Sequence, residues 1–114
     1  MSTDTHPRTV TDDSFESVIL EAEHAILEFW EPRCYACQGL TDDMERLSRD
    51  LKNEAVVGTL NVADYPELAR AQGIEVVPTV LVYRKGTVDA RLRGSEPIRS
   101  FIDTMCTTTG VACS

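Results

Sequence analysis

Apolar residues recur along the chain with two different spacings, one typical of helices and the other of strands. Phe15, Val18 and Ile19 have the spacing i, i+3, i+4, which predicts a helix capped by residues 12–14. A continuous apolar run within residues 24–30 predicts a strand buried on both faces of a sheet. A helix followed by a buried strand is the order expected of an α/β protein.

The middle of the chain continues this alternation. A helix is predicted to begin at Cys34, because apolar residues recur one helical turn apart at Leu40, Met44, Leu47 and Leu51. Residues 55–62 predict a second strand. Residues 65–71 predict a short helix, capped by Asp64 and ended by Gly73.

A hairpin and a helix are predicted to close the fold. Strands over 76–83 and 88–92 meet at the turn 84–86. The last helix begins at Ser95, has Pro97 in its first turn, and aligns the apolar residues Ile98, Phe101, Ile102 and Met105. This order predicts an α/β fold with a mixed sheet covered by helices on both faces.

Length and charge limit the possible functions. The 114 residues suit one domain, which we place at 8–106, between a flexible arm at 1–7 and a tail at 107–114. The net charge of −8 and the lack of a basic run argue against binding nucleic acid or an anionic membrane. No apolar stretch approaches the roughly 20 residues that span a bilayer. The N-terminus has no apolar signal region, so we expect a cytoplasmic protein.

The cysteine spacing is the strongest chemical signal. Cys34 and Cys37 lie where a buried strand passes into a helix, and the N-terminus of a helix stabilises a thiolate at Cys34. Cys37 follows on the same helix face, within reach of a disulfide. We expect the turn to expose Cys34, which attacks a disulfide, and the helix to bury Cys37, which resolves the mixed disulfide. The alternative is a zinc site completed by Cys106 and Cys113.

From about Val10 to Met105 the chain resembles the thioredoxin family. The matching stretches are 11–15, 28–30 before the cysteines, 59–62, 77–79, and the turns at 84–86 and 93–94. The resemblance implies a thioredoxin fold and a dithiol–disulfide site made of Cys34 and Cys37. It also implies that Pro78 is cis and faces this site, and that Val77 offers its backbone to an extended substrate.

Glu28 interrupts an apolar strand, and the resemblance places an acidic residue there. Desolvation should raise its pKa, which suits a proton acceptor for Cys37, although a half-exposed glutamate at the strand edge is the alternative. We expect Arg33, Tyr35 and Gly94 to contact substrate as well. Arg33 stands where the family usually has Trp, and Tyr35-Ala36 replaces Gly-Pro.

Two further departures concern Thr59, at the position of a lysine that often pairs with the buried acid, and Asp42, at the position of a helix-kinking proline.

We therefore predict a thiol–disulfide oxidoreductase that maintains cell redox homeostasis. It would act as a monomer on disulfide-containing client proteins, need no cofactor of its own, and take electrons from a separate thioredoxin-reductase-like donor. A binding or chaperone-like module with weak turnover is the main alternative, and the four-cysteine zinc protein is another. We expect Cys106 and Cys113 to be dispensable for the exchange reaction and to form a local disulfide, with free thiols and a redox relay to the active site as the alternatives.

Overall fold

A computed structural model describes the backbone of residues 6–108 and the side chains of residues 6–105. Five strands form one mixed sheet in the order β1-β3-β2-β4-β5, in which β1 and β2 run parallel to β3 while β4 is antiparallel to β2 and β5. The strands are β1 (Arg8–Thr9), β2 (His24–Trp30), β3 (Val56–Asn61), β4 (Thr79–Arg84) and β5 (Thr87–Arg93). The predicted mixed sheet is confirmed, and β2 lies at its centre.

Helices cover both faces of this sheet. They are a single π-helical turn (Glu16–Leu20), α1 (Tyr35–Gln38), α2 (Thr41–Asp50), α3 (Pro66–Ala71) and α4 (Ser95–Thr108). The π-helical turn and α3 pack on one face, and α2 and α4 pack on the other. Within the described chain, no helix combines the length and the apolar content needed to cross a bilayer.

The central strand β2 serves both apolar cores because its side chains alternate between the faces. Ala25, Leu27 and Phe29 enter the core under the π-helical turn and α3. Ile26 enters the core under α2 and α4. The alternation places Glu28 on the same face as Ile26, so a carboxyl group lies where the pattern calls for an apolar side chain.

The helix predicted to begin at Cys34 is divided into α1 and α2. At the division the Leu40 N–H donates to the Cys37 carbonyl at 3.0 Å, three residues back, in place of the residue four back. Gly39, a poor helix former, stands at this point. The apolar periodicity continues across the break, since Leu40, Met44, Leu47 and Leu51 are all buried.

Two predicted side-chain caps are wrong. Asp64 does not cap α3, because Tyr65 occupies the N-cap position without a side-chain hydrogen bond and Pro66 opens the helix. Residues 12–14 do not cap the first helix either. The Ser14 hydroxyl accepts from the Thr11 N–H at 2.9 Å, and the helix that follows is one π-helical turn.

Two strand assignments also change. The strand predicted from residue 76 begins at Thr79, because residues 76–78 bend and Pro78 has no N–H for the sheet ladder. Strand β1 has no counterpart among the predicted strands, and its two exposed residues pair with Gly58 and Thr59 of β3.

Candidate active site

Cys34 and Cys37 lie directly after the C-terminal end of β2. Cys34 is the N-cap residue of α1, with extended backbone angles, and Cys37 lies within the helix. The two form a disulfide, and the Cys37 N–H donates to the Cys34 Sγ at 3.0 Å. The first turn of α1 therefore directs a backbone donor at the sulfur that the sequence analysis identified as the nucleophile.

The expected difference in exposure between the two sulfurs is not observed in this oxidised form. Cys34 is 9% exposed and Cys37 is 4% exposed, so both are buried. The disulfide closes a four-residue ring, which draws Cys34 onto the first turn of α1 beside the Cys37 N–H. Tyr35, between them, is 89% exposed and is the most prominent apolar side chain of the site.

Glu28 is buried, with 4% of its surface exposed, and its Oε2 atom accepts no hydrogen bond within the described residues. Burial raises the pKa of this carboxyl from its ordinary value to about 7. The predicted direction of the shift is confirmed, and the alternative of a half-exposed glutamate is wrong. Thr59 is the residue paired with Glu28 across β2 and β3, so an uncharged hydroxyl side chain stands opposite the carboxyl.

A half-enclosed cavity of about 320 Å³ joins Glu28 to the disulfide. Glu28, Cys37, Thr59 and Trp30 contribute to its wall. His6 and Glu45 also line it, and their side chains form an exposed pair with Nδ1 and Oε2 3.3 Å apart. His6 and Glu45 are 39 residues apart in the chain and no local motif connects them, so no role for them was predicted from the sequence.

The Val77–Pro78 peptide bond is cis, as the resemblance implied. Phe29 pairs with Thr79, so Pro78 lies at the end of β2 from which the chain enters the cysteine loop. The Gly94 N–H donates to the Pro78 carbonyl at 2.9 Å, and Gly94 has a φ of +93° that favours glycine. The structure therefore brings together Pro78 and Gly94 from different parts of the sequence.

Arg33 is exposed on the loop before Cys34. Its backbone N–H donates to the Glu31 Oε1 at 3.1 Å. Its guanidinium forms no ion pair with another described residue, which leaves this cation available to solvent or to a partner.

The described residues contain no group of three His, Cys, Asp or Glu side chains placed to hold a metal ion. The zinc alternative required Cys106 and Cys113 as well. The Cys106 side chain and all of Cys113 lie outside the described residues, as does the disulfide expected between them.

Comparisons with known proteins agree on one family. The family model described as Thioredoxin matches residues 6–107. A thioredoxin of Rickettsia bellii is 36% identical over 78 residues, which cover 68% of this chain and 74% of that protein. A thioredoxin of Chlorobaculum thiosulfatiphilum is 34% identical over 88 residues, which cover 76% of this chain and 82% of the relative.

The structural comparison shows the same fold. A mutant thioredoxin from Halobacterium salinarum superimposes with a TM-score of 0.79, and the match covers 98% of each chain. The sequence identity is only 21%, so this likeness concerns the fold alone. The predicted thioredoxin fold is confirmed.

Proposed function

Because this chain belongs to the thioredoxin family and is a thiol–disulfide oxidoreductase, we propose that Cys34 and Cys37 carry its exchange reaction and that Glu28 accepts the proton of Cys37. The observation that carries the proposal is the position of Cys34 at the N-cap of α1, with the Cys37 N–H on its sulfur. That donor and the free N–H groups of the first turn stabilise negative charge at Cys34. Cys34 is therefore the attacking thiolate.

The reaction proceeds in two exchange steps. The Cys34 thiolate attacks one sulfur of a client disulfide, the client S–S bond breaks, and the released client thiolate takes a proton from solvent. Cys37 then loses its proton to the Glu28 carboxylate and attacks the Cys34 sulfur, which releases the second client thiolate. The client gains two electrons, and Cys34 and Cys37 end as the disulfide seen in the structure.

Glu28 suits this proton transfer for two reasons. It lines the same cavity as Cys37, so a water molecule in that cavity can connect the two groups. Its pKa of about 7 also lies near neutral pH, where a group both accepts and releases protons readily.

The client would bind across the edge formed by the cysteine loop and the bend before β4. Val77 offers its backbone there, beside Pro78, whose carbonyl accepts from the Gly94 N–H. Tyr35 and Arg33 are exposed beside the disulfide, so they supply apolar contact and positive charge. The cation favours clients with acidic residues next to the target disulfide.

The family implies disulfide-containing substrates and a reductase as partners. We propose that the clients are proteins, that a separate thioredoxin-reductase-like protein supplies the electrons, and that the chain works as a cytoplasmic monomer. The cysteine pair supplies all the redox chemistry of the cycle, so the mechanism uses no bound cofactor.

The test is reduction of insulin by dithiothreitol with and without the protein. We expect a clear acceleration, which is lost in both Cys34→Ser and Cys37→Ser. In a Cys106→Ser, Cys113→Ser background, Cys37→Ser should trap a mixed disulfide with insulin through Cys34, whereas Cys34→Ser should trap none. A rate equal to that of dithiothreitol alone would contradict the assignment and favour the binding module.

A second experiment isolates Glu28. Glu28→Gln should slow the resolution of a preformed mixed disulfide by at least about tenfold at pH 7, because the acceptor for the Cys37 proton is gone. Glu45→Gln, which changes a carboxyl on the same cavity without touching the buried position, is the control and should leave the rate within about twofold. Equal rates in the two variants would remove Glu28 from the mechanism.

A further inference from the structure

The break between α1 and α2 leaves a backbone carbonyl in need of a partner. The Leu40 N–H turns to the Cys37 carbonyl, and α2 starts its own hydrogen bonding with the Met44 N–H on the Leu40 carbonyl. The Gly39 carbonyl, between these bonds, accepts no backbone N–H within the described chain. A carbonyl at the end of a four-residue helix is a position that needs a donor from elsewhere.

Arg99 on α4 supplies that donor. Its Nη2 donates to the Gly39 carbonyl at 3.1 Å and its Nε donates to the Asp43 Oδ2 at 3.2 Å. The planar guanidinium therefore joins the end of α1 to the first turn of α2. The approach is close, since a Cβ atom at residue 39 would lie 3.4 Å from Nη2.

Asp43 is itself held in place from a second side. The Arg46 Nη2 lies 3.6 Å from the Asp43 Oδ1 within α2. The same nitrogen lies 3.0 Å from the Asp103 Oδ1 of α4. Arg46 and Arg99 thus both connect α2 with α4, Arg46 through Asp103 and Arg99 through Asp43, but only Arg99 contacts the break. This gives the chain a natural control for any change at Arg99.

We propose that Arg99 is a positioning residue for the Cys34–Cys37 couple, acting through the Gly39 carbonyl. The inference rests on the proposed function of the two cysteines and adds a residue about 60 positions away in the chain. The connection runs from Arg99 to Gly39, then through the tight turn at Cys37, whose N–H donates to the Cys34 sulfur.

The contact matters more in the dithiol than in the disulfide. In the oxidised form the covalent ring of Cys34 and Cys37 fixes the first turn of α1. Once that bond is reduced, four helical residues cannot hold their conformation alone and depend on their tertiary contacts. Loss of the Arg99 contact therefore destabilises the dithiol form relative to the disulfide form.

The test is the dithiol–disulfide equilibrium of Cys34 and Cys37 in a glutathione redox buffer, in the Cys106→Ser, Cys113→Ser background. Free thiols are alkylated, and mass spectrometry measures the fractions of dithiol and disulfide. For Arg99→Met we expect the dithiol-to-disulfide ratio to fall at least threefold, which is about 14 mV for a two-electron couple. Arg46→Met removes the same charge from the same helix pair and should change the ratio by less than 1.5-fold. Equal effects of the two substitutions would overturn the proposal.

Arg99→Lys separates hydrogen bonding from charge. A lysine keeps the charge but lacks the planar fork that reaches both acceptors, so we expect most of the threefold change to remain. A ratio equal to that of the unsubstituted protein would mean that charge alone matters and would overturn the positioning role. This equilibrium needs no turnover of client, so the outcome is independent of the insulin assay that tests the proposed function.

Discussion

At the scale of single residues, Glu28 is placed against the pattern of its own strand. It follows Ile26 on the face of β2 that packs toward α2, and 4% of its surface is exposed. No described cation neutralises it, and Thr59 is its neighbour across the strand pair. The fold therefore tolerates a carboxyl whose charged form is costly, which is the arrangement expected of a group that exchanges protons.

This burial gives a prediction for stability. The pKa of Glu28 is about 7 in the folded chain and near 4.5 otherwise, so between these pH values the folded state keeps a proton that the unfolded state has lost. The free energy of unfolding should therefore fall as the pH rises from about 4.5 through 7, by about 3 kcal/mol from this group. Denaturant unfolding of the oxidised protein at pH 5 and pH 8.5 measures the fall.

Glu28→Gln should remove most of that fall, because an amide does not titrate. Glu45→Gln should keep it, since Glu45 is partly exposed on the outer surface of α2. An unchanged fall in Glu28→Gln would assign the pH dependence to other groups.

Arg33 gives a second prediction at this scale. A cation next to Cys34 and at the helix N-terminus stabilises the thiolate, hence the reduced form, so we expect a couple more oxidising than roughly −270 mV, the value of ordinary thioredoxin. Arg33→Trp should lower the reduction potential of the Cys34–Cys37 couple and slow the alkylation of Cys34 at neutral pH. A wild-type potential below that of ordinary thioredoxin, or an unchanged alkylation rate in Arg33→Trp, would contradict this account.

At the scale of elements, the edge strand β1 depends on one glycine. A Cβ atom at Gly58 would lie 2.8 Å from the Val10 Cγ2 and 3.2 Å from the Arg8 carbonyl oxygen. Gly58→Ala should therefore force β1 away from β3 and cost about 1–3 kcal/mol in the free energy of unfolding. Urea denaturation measures the loss.

A double-mutant cycle checks the cause. Val10→Ala removes the nearest atom, so Gly58→Ala should cost less in that background than in the unsubstituted chain. Strictly additive costs would show that the close approach to Val10 is not responsible.

The C-terminal helix α4 gives the next prediction. Gly94 is hydrogen-bonded to Pro78, so α4 begins near the active-site edge, and the rise of a helix carries its residue 106 about 16 Å along the axis. The substitutions Cys106→Ser and Cys113→Ser together should leave insulin reduction within tenfold of wild type. A greater loss in a folded protein would show that the tail takes part in exchange.

The elements also show what the sequence pattern can and cannot predict. The bounds of β2 follow from its continuous apolar run, which is buried as that pattern requires. The two residues of β1 carry no such pattern and are held by backbone pairing to β3. The break after α1 is hidden because buried leucines and Met44 keep their helical spacing across it.

In the candidate site, too, some residues are marked by the local sequence and others are brought together only by tertiary packing. Cys34, Cys37 and Glu28 were predictable because their chemistry depends on neighbours in the sequence: a strand, a turn and the start of a helix. His6 and Glu45 are 39 positions apart in the sequence, and Arg99 is 60 positions from Gly39, whose carbonyl it contacts. No local spacing marks such contacts, and only the packing of the helices on the sheet creates them.

At the scale of the whole molecule, the disulfide adds little to the stability of the fold. It closes a loop of residues only three apart, which in the loop-entropy model contributes about 2 kcal/mol. The two apolar cores on opposite faces of the sheet include neither cysteine, so we expect both cores to remain when the disulfide is reduced. The reduced protein should therefore keep its far-UV circular dichroism spectrum. The denaturant concentration at which half of it is unfolded should fall only modestly.

Cys34→Ser with Cys37→Ser provides the comparison, and its midpoint should match that of the reduced wild type. Unfolding on reduction would mean that the cysteine pair is structural, which would contradict a site that cycles between two redox states.

The cavity beside the disulfide also affects the intrinsic tryptophan fluorescence that we expect of this protein. Trp30 is the only tryptophan in the chain, and it lines that cavity together with Cys37 and Glu28. Indole emission from this protein therefore originates at a single place, beside the bond that is made and broken and the carboxyl that gains and loses a proton. We therefore expect the intensity of this emission, recorded without any added label, to change when the disulfide is reduced and when Glu28 changes its protonation state.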